Sequence, residues 1–261
     1  MLILIAGITG FVGIPCARAA LSRGHKVRGL ARDANKLPKD VLDQLEGFEP
    51  MSGYYDIPAL DRAVAGVDAI INTMPGVPES VMEGQLALLR AAERAGVKPI
   101  YMFTGAIAEY YFQRSAHDWD SKTKTFSFHG PSTCPTRYTT AGDIANYVLE
   151  AIAAPNAADG GYISVQSFEA SPEEVVEAYN AAREGGVTAN LKCLGTLEDA
   201  KAKLDHGKAI YPKREWYKYL WYCYQYYIPT RAWDYEPVDV ARFPNVQQTS
   251  LEEFFRQNPD V

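Results

Sequence analysis

Leu2-Ile3-Leu4-Ile5-Ala6 is an unbroken apolar run without the alternation of a half-exposed strand, so it predicts a parallel strand covered on both faces. Apolar residues at Val12, Cys16, Ala19 and Ala20 then recur with helical spacing until Gly24, a suitable helix end. Lys26 to Ala31 reads as a second strand. Strands and helices go on alternating: a helix over Leu60 to Ala65, a strand over Val67 to Asn72, a helix from Glu79 to Ala95 with Val81, Leu86, Leu89 and Ala92 inward, and a strand over Pro99 to Phe103. Such alternation predicts an α/β doubly wound parallel sheet with its ligand at the carboxyl ends of the strands. Beyond residue 140 the pattern loosens into a helix over Gly142 to Ala153, a strand over Tyr162 to Val165, and helices over Leu197 to Leu204 and Leu251 to Phe255. Ser171-Pro172-Glu173-Glu174 has the cap, first-position proline and acidic first turn of a helix start.

Composition narrows the function classes. The chain has 261 residues, 47% of them hydrophobic, and a formal net charge of −6 with its basic residues scattered, which argues against a nucleic-acid partner. Cys16, Cys134, Cys193 and Cys223 lie far apart, with no paired spacing for a disulfide framework or a metal, and this fits a reducing, cytoplasmic setting. The apolar opening stretch lacks a basic lead and is interrupted by Gly7, Thr9 and Gly10, so neither a signal peptide nor a membrane span is expected.

The candidate chemistry starts where the first strand ends, in Gly7-Ile8-Thr9-Gly10-Phe11-Val12-Gly13. Strand, glycine turn, helix and strand follow one another within about 30 residues, the context a dinucleotide fingerprint requires. Gly7 permits the tight turn, Gly10 lets the backbone approach a pyrophosphate, and Gly13 lets helix and strand pack closely. Thr9, Phe11 and Val12 complete the turn, whose free N–H groups at the helix start meet the phosphate charge. The second strand ends in Arg32, with Lys36 nearby, where an NAD site usually carries an acid for the ribose hydroxyls. A guanidinium there can fork onto a 2′-phosphate, so the expected cofactor is NADP(H); the plainer alternative pairs Arg32 with Asp33. Thr73-Met74-Pro75-Gly76 and Thr104-Gly105 follow later strands and are placed to line the nicotinamide side. Trp216 to Tyr227 is densely aromatic, either core packing or a wall for a flat substrate.

Together these segments resemble the NmrA-like and isoflavone-reductase-like atypical short-chain dehydrogenases, especially fungal members. The resemblance is carried by the glycine turn, Arg32, "GVDAIINTMPG", "LLRAAERAGVKPIYMFTGA", "TTAGDIANYVLEAI" and "DVARFPNVQQTSLEEFF". It implies an NADP-binding Rossmann domain, drawn here as residues 1–140, and a mixed C-terminal region over 141–261 that adds to the sheet and forms a smaller substrate lobe. Ordinary short-chain dehydrogenases use a tyrosine with a lysine four residues later, and no tyrosine here has one. Some members of the resembled group carry a lysine after the fifth strand instead. "HDWDSK" matches that region, which makes Lys122 the counterpart that holds the ribose or polarises a substrate oxygen, with Lys124 as fallback. His117, Asp118 and Asp120 in the same stretch are candidate general acids or bases.

One departure stands out. Between Lys122 and the "GDIANYV" helix, relatives carry a sixth strand and part of the substrate pocket, whereas here only "TKTFSFHGPSTCPTRYTTA" intervenes, read as loop from Gly130-Pro131 and Cys134-Pro135. The pocket roof is then trimmed, or rebuilt from the aromatic segment or from a second subunit in a homodimer. The leading expectation is an NADP(H)-dependent oxidoreductase acting on a hydrophobic or aromatic small molecule in secondary metabolism. The alternatives are an NADP(H)-binding enzyme of net non-redox cyclisation and a non-enzymatic NADP(H) sensor.

Overall fold

The computed structural model of the chain describes residues 1–76, 79–97, 99–113, 118–183, 186 and 188–261. Two compact units interleave along the sequence: Met1–Met102 with Ile144–Ile163, and Phe103–Asp143 with Ser164–Val261. The boundary expected at residue 140 falls inside the second unit.

In the first unit, β1 (Leu2–Ala6), β2 (Lys26–Ala31), β3 (Gly47–Pro50) and β4 (Ala69–Asn72) form a parallel sheet in the order β3-β2-β1-β4. This is the Rossmann-like α/β arrangement that the alternation predicts. Successive side chains of a strand point to opposite faces. Ile3 and Ile5 accordingly pack with Cys16, Ala17 and Ala20 of α1 (Gly13–Ser22), while Leu4 and Ala6 pack with Leu60, Ala63 and Leu88 on the other face. All four strand residues are fully buried, which is why the run shows no polar alternation. Each buried Leu or Ile contributes about 1.5–3 kcal/mol.

Two elements differ from expectation. β3 carries no apolar run because it is a short edge strand closed by Pro50, the position where a residue without an N–H is tolerated. The single helix expected from Glu79 to Ala95 is a π-helical turn over Ser80–Gln85 that passes into an α-helix over Leu86–Arg94. The Tyr54 ring lies against Gly84 so closely that an added Cβ would meet it at 2.5 Å. The inward position expected of the Val81 side chain lies outside the described residues.

The second unit contains two three-stranded sheets, one from Phe168–Ala170, Thr136–Thr139 and Ala106–Ile107, the other from Asn190–Cys193, Thr125–Phe128 and Trp119–Asp120. Gly130-Pro131 and Cys134-Pro135 are irregular, as read from the sequence, but the segment 123–141 that holds them also carries the strands Thr125–Phe128 and Thr136–Thr139. These strands are only four residues long and mix buried with half-buried residues without a strict alternation, so they do not register as strands against the turn residues between them. The core is aromatic. Phe112, Trp119, Tyr138, Phe254 and Phe255 are nearly or fully buried, and Phe112 sits 5.3–5.5 Å from Tyr138, Phe254 and Phe255, ring centre to ring centre.

The expected helix start at Ser171 is a capping box with Glu174 that opens helix Pro172–Ala182. A second box, Thr196 with Asp199, opens a helix that runs on to Ile210, longer than expected. The aromatic run becomes a 3₁₀ segment and the helix Leu220–Tyr227, with Tyr219 and Cys223 buried against Leu204. Gly207 faces Tyr219 with no room for a Cβ, which lets this helix lie close. Part of the run packs, and Tyr224 and Gln225 line the cavity described below. Asp143 of "GDIANYV" is likewise structural, accepting hydrogen bonds from Ser167 and from the Thr249 amide and hydroxyl.

Candidate functional site

The glycine turn is dictated by space. Gly7 has φ +79°, a conformation that L side chains avoid, and an added Cβ would stand 2.9 Å from the Thr73 carbonyl. At Gly13 a Cβ would meet the Gly7 oxygen at 2.4 Å and the Ile8 Cα at 2.8 Å, so helix and strand could not approach as they do. Gly10 is tight as well, 3.0 Å from the same oxygen. Main-chain bonds hold the turn: Gly7 N–H donates to Leu30 O at 2.9 Å, Gly10 N–H to Gly7 O at 2.8 Å, and Ile14 N–H to Gly10 O at 3.1 Å. Among the described residues no acceptor in the chain takes the amides of Phe11, Val12 or Gly13. Three unclaimed N–H groups at a helix start, next to glycines that admit no side chain, fit a dinucleotide pyrophosphate.

The other predicted residues of this unit cluster at the same strand ends. Thr73 N–H and its hydroxyl both donate to Ala6 O, at 2.8 and 2.9 Å, so Thr73 staples β4 to the turn. Met74 is buried, whereas Pro75 and Gly76 are exposed, and Gln85 Nε2 donates to the Met74 and Pro75 carbonyls at 3.3 and 3.4 Å. Arg32 and Lys36 are exposed. Asp33 does not pair with Arg32: its carboxylate accepts from the Asn35 amide at 3.0 Å and caps the Ala34–Lys36 turn. Arg32 makes no hydrogen bond or ion pair among the described residues.

In the second unit, Gly105 (φ +63°) crosses the Arg137 carbonyl, which an added Cβ would meet at 2.4 Å, and the Thr104 carbonyl accepts from the Thr139 hydroxyl at 2.5 Å. Both features are complete as packing. Asp120 is exposed, and its Oδ1 takes the amides of Lys122 and Thr123 at 2.9 and 3.3 Å; these bonds hold its carboxyl below the usual carboxylate range. It therefore forms the turn rather than a cleft acid. Lys122 is exposed, and its amine makes no hydrogen bond or ion pair among the described residues, though its charge acts on Asp120. Lys124 is occupied, donating to the Val261 carbonyl at 2.9 Å and lying over the Tyr179 ring. His117 lies outside the described residues.

Asp118 is the predicted acid that the fold encloses. It is 6% exposed and accepts from the Tyr111 hydroxyl, from Trp221 Nε1 at 3.0 Å and from Gln225 Nε2. Burial pushes its carboxyl up to about 7 against the opposing effect of the Trp221 hydrogen bond. Beside it is a cavity of about 30 Å³ lined by Tyr111, Phe126, His129, Thr136, Tyr224 and Gln225 among others. Tyr111 and His129 are not among the sequence candidates, and Trp221 and Gln225 are named there only as part of the aromatic stretch Trp216 to Tyr227. The one hint in the sequence is Gln225, a lone amide inside an aromatic run.

Residues 7–129 match the family model described as NAD(P)H-binding, and this stretch is an NAD(P)H-binding domain. No curated protein matches the chain. Among solved structures, the leucoanthocyanidin reductase–NADPH complex of Vitis vinifera is similar with a TM-score of 0.73 at 16% identity, covering 98% of this chain and 99% of its own. An isoflavone reductase is similar at 0.67 and 16%, covering 98% of each chain. A nucleoside-diphosphate-sugar epimerase of Staphylococcus aureus is similar at 0.68 and 15%, covering 98% of this chain and all of its own. At these identities the likeness shows the same fold.

Proposed function

We propose that the protein is an NADP(H)-dependent reductase of a hydrophobic or aromatic small molecule of secondary metabolism.

 The substrate class is hydrophobic and aromatic, as the resemblance implies. The observation that carries this reading is the end of β2: an exposed Arg32 stands unpaired beside the glycine turn, while the neighbouring Asp33 carboxylate is spent on its own turn. An acid free to take the ribose hydroxyls would favour NAD, whereas a free guanidinium favours a 2′-phosphate. When bound, the reduced nicotinamide supplies a hydride. In the first unit the turn amides hold the pyrophosphate, and Arg32 and Lys36 hold the 2′-phosphate. In the second unit Lys122 is the candidate for the ribose or a substrate oxygen, and Asp118 the candidate for moving a proton. The similarity to reductases, one of them solved with NADPH, supports the same class.

The test is a titration with NADPH and NADH, then turnover with a panel of aromatic carbonyl compounds followed by both nicotinamide absorbance and product mass. Arg32→Ala is expected to weaken NADPH ~10- to 100-fold and to leave NADH unchanged. Equal losses for both cofactors would refute the phosphate role. Product formed without NADPH consumption would replace the reductase with a cyclase, and binding without turnover would leave a sensor.

A further inference from the structure

The hydrogen bonds that reach Asp118 belong to a longer chain with a fixed direction. Lys203, on the helix Leu197–Ile210, places its Nζ 3.1 Å from His129 Nε2. An ammonium has only donors, so Nε2 is the acceptor here and the ring N–H sits on Nδ1. That Nδ1–H donates to Gln225 Oε1 at 2.5 Å. The Gln225 amide is thereby oriented: its oxygen is taken by His129, and its nitrogen donates to Asp118 Oδ1 and to the Ser127 carbonyl at 3.3 Å. Every donor in the series points the same way, from a cation on an exposed residue to a carboxyl on a buried one. His129 and Gln225 are 2% and 3% exposed, so water does not compete along the middle of the chain.

We propose that Lys203, His129 and Gln225 form a polarised relay that sets the protonation of Asp118 at the cavity beside it, His129 and Gln225 acting as positioning residues. The proposal rests on the reductase reading only for the reaction that uses the proton. Aligned dipoles that begin at a positive charge favour the anion at the far end. Both forms of Asp118 are accommodated, because the Tyr111 hydroxyl donates to the carboxylate and can turn to accept from the acid. As donor, the carboxyl would lose its proton to an oxygen or nitrogen entering the cavity, the carboxyl O–H bond breaking as the new bond forms. The remaining carboxylate would keep the Trp221 and Gln225 hydrogen bonds until water returns the proton. The other groups that face this carboxyl are Tyr138 on the strand Thr136–Thr139 and Tyr224 on the helix Leu220–Tyr227, while Asp199 faces Lys203 and His129. Burial pushes both phenols above the usual tyrosine range, so they stay neutral while Asp118 titrates.

The experiment is a pH titration of the full chain followed by the infrared band of protonated carboxyl groups, with Asp118→Asn identifying the band that belongs to Asp118. In the parent protein that band is expected to titrate near neutral pH. Lys203→Met, a change on an exposed residue, is expected to move the midpoint upward by about half a pH unit with the melting temperature unchanged. Gln225→Leu is expected to move it further in the same direction, and Gln225→Glu supplies a second reading if that variant does not fold. A midpoint unmoved by Lys203→Met in a folded protein overturns the relay. NADPH binding is measured on the same samples: its absence in the parent protein would sink the reductase reading and leave the carboxyl midpoint readable.

Discussion

The glycine turn of the first unit and the Asp118 network of the second are built on opposite principles. The turn is made mostly of near neighbours: a Cβ at Gly10 or Gly13 would meet the Gly7 carbonyl oxygen within seven residues, and Gly7 is required by its own positive φ, with the Thr73-Met74 peptide the one distant group it faces. The network depends on strangers: besides Tyr111, seven residues back, Asp118 takes donors from Trp221 and Gln225, 103 and 107 residues away. A turn can therefore be written into a short motif, whereas a buried carboxyl acquires its chemistry only when distant helices deliver the donors.

The largest test of this contrast is Asp118→Ala. It removes the acceptor from the Tyr111 hydroxyl, the Trp221 indole and the Gln225 amide at once, and it is expected to cost about 3–5 kcal/mol by chemical denaturation. Asp118→Asn keeps the shape and separates charge from packing through pH. In the folded chain the carboxyl keeps its proton up to about 7, while the unfolded chain releases it in the ordinary carboxylate range. The folded form therefore binds more protons between those limits. This contribution to stability is complete below the ordinary carboxylate range and is lost as pH rises through about 7. The asparagine variant is expected to lose that part of the pH dependence, and an unchanged profile would remove Asp118 as its source.

Gly13→Ala comes next. A methyl group 2.4 Å from the Gly7 oxygen and 2.8 Å from the Ile8 Cα meets backbone on both sides, so the turn must shift. The expected cost is about 1–3 kcal/mol, accompanied by a clear loss of NADPH affinity. Gly47→Ala, where no atom lies within 4 Å of the added methyl, is expected to leave both nearly unchanged. Thermal melts and NADPH titrations of the pair check this, and equal behaviour of the two variants would break the argument from space.

What could be read from the sequence follows the same division. β1 is legible because burial on both faces leaves an unbroken apolar run, β2 and β4 because they keep their places in the alternation, and the turn because its glycines are local requirements. β3 was not, since an edge strand of four half-exposed residues carries no pattern. The strands Thr125–Phe128 and Thr136–Thr139 were masked by the turn residues between them. Asp118 was picked as an acid from its position, but nothing local to it announced Trp221, Gln225 or His129. Asp120, two residues on, looked equivalent and instead closes a turn.

The smallest predicted effect separates distance in sequence from membership of a unit. Ser171 and Glu174 belong to the second unit, like Asp118, but their capping box is as local as the glycine turn and is legible in the sequence. Its hydroxyl accepts from the Glu174 amide at 3.3 Å and its own amide donates to the Glu174 carboxylate at 2.8 Å. Ser171→Ala removes the first of these bonds and leaves the second, and it is expected to cost about 1 kcal/mol in denaturant melts. NADPH affinity should be unchanged, and so should the pH dependence assigned to Asp118. A loss several times larger would mean that the cap is tied into the aromatic core, and that short-range sequence signals in this unit carry long-range weight after all.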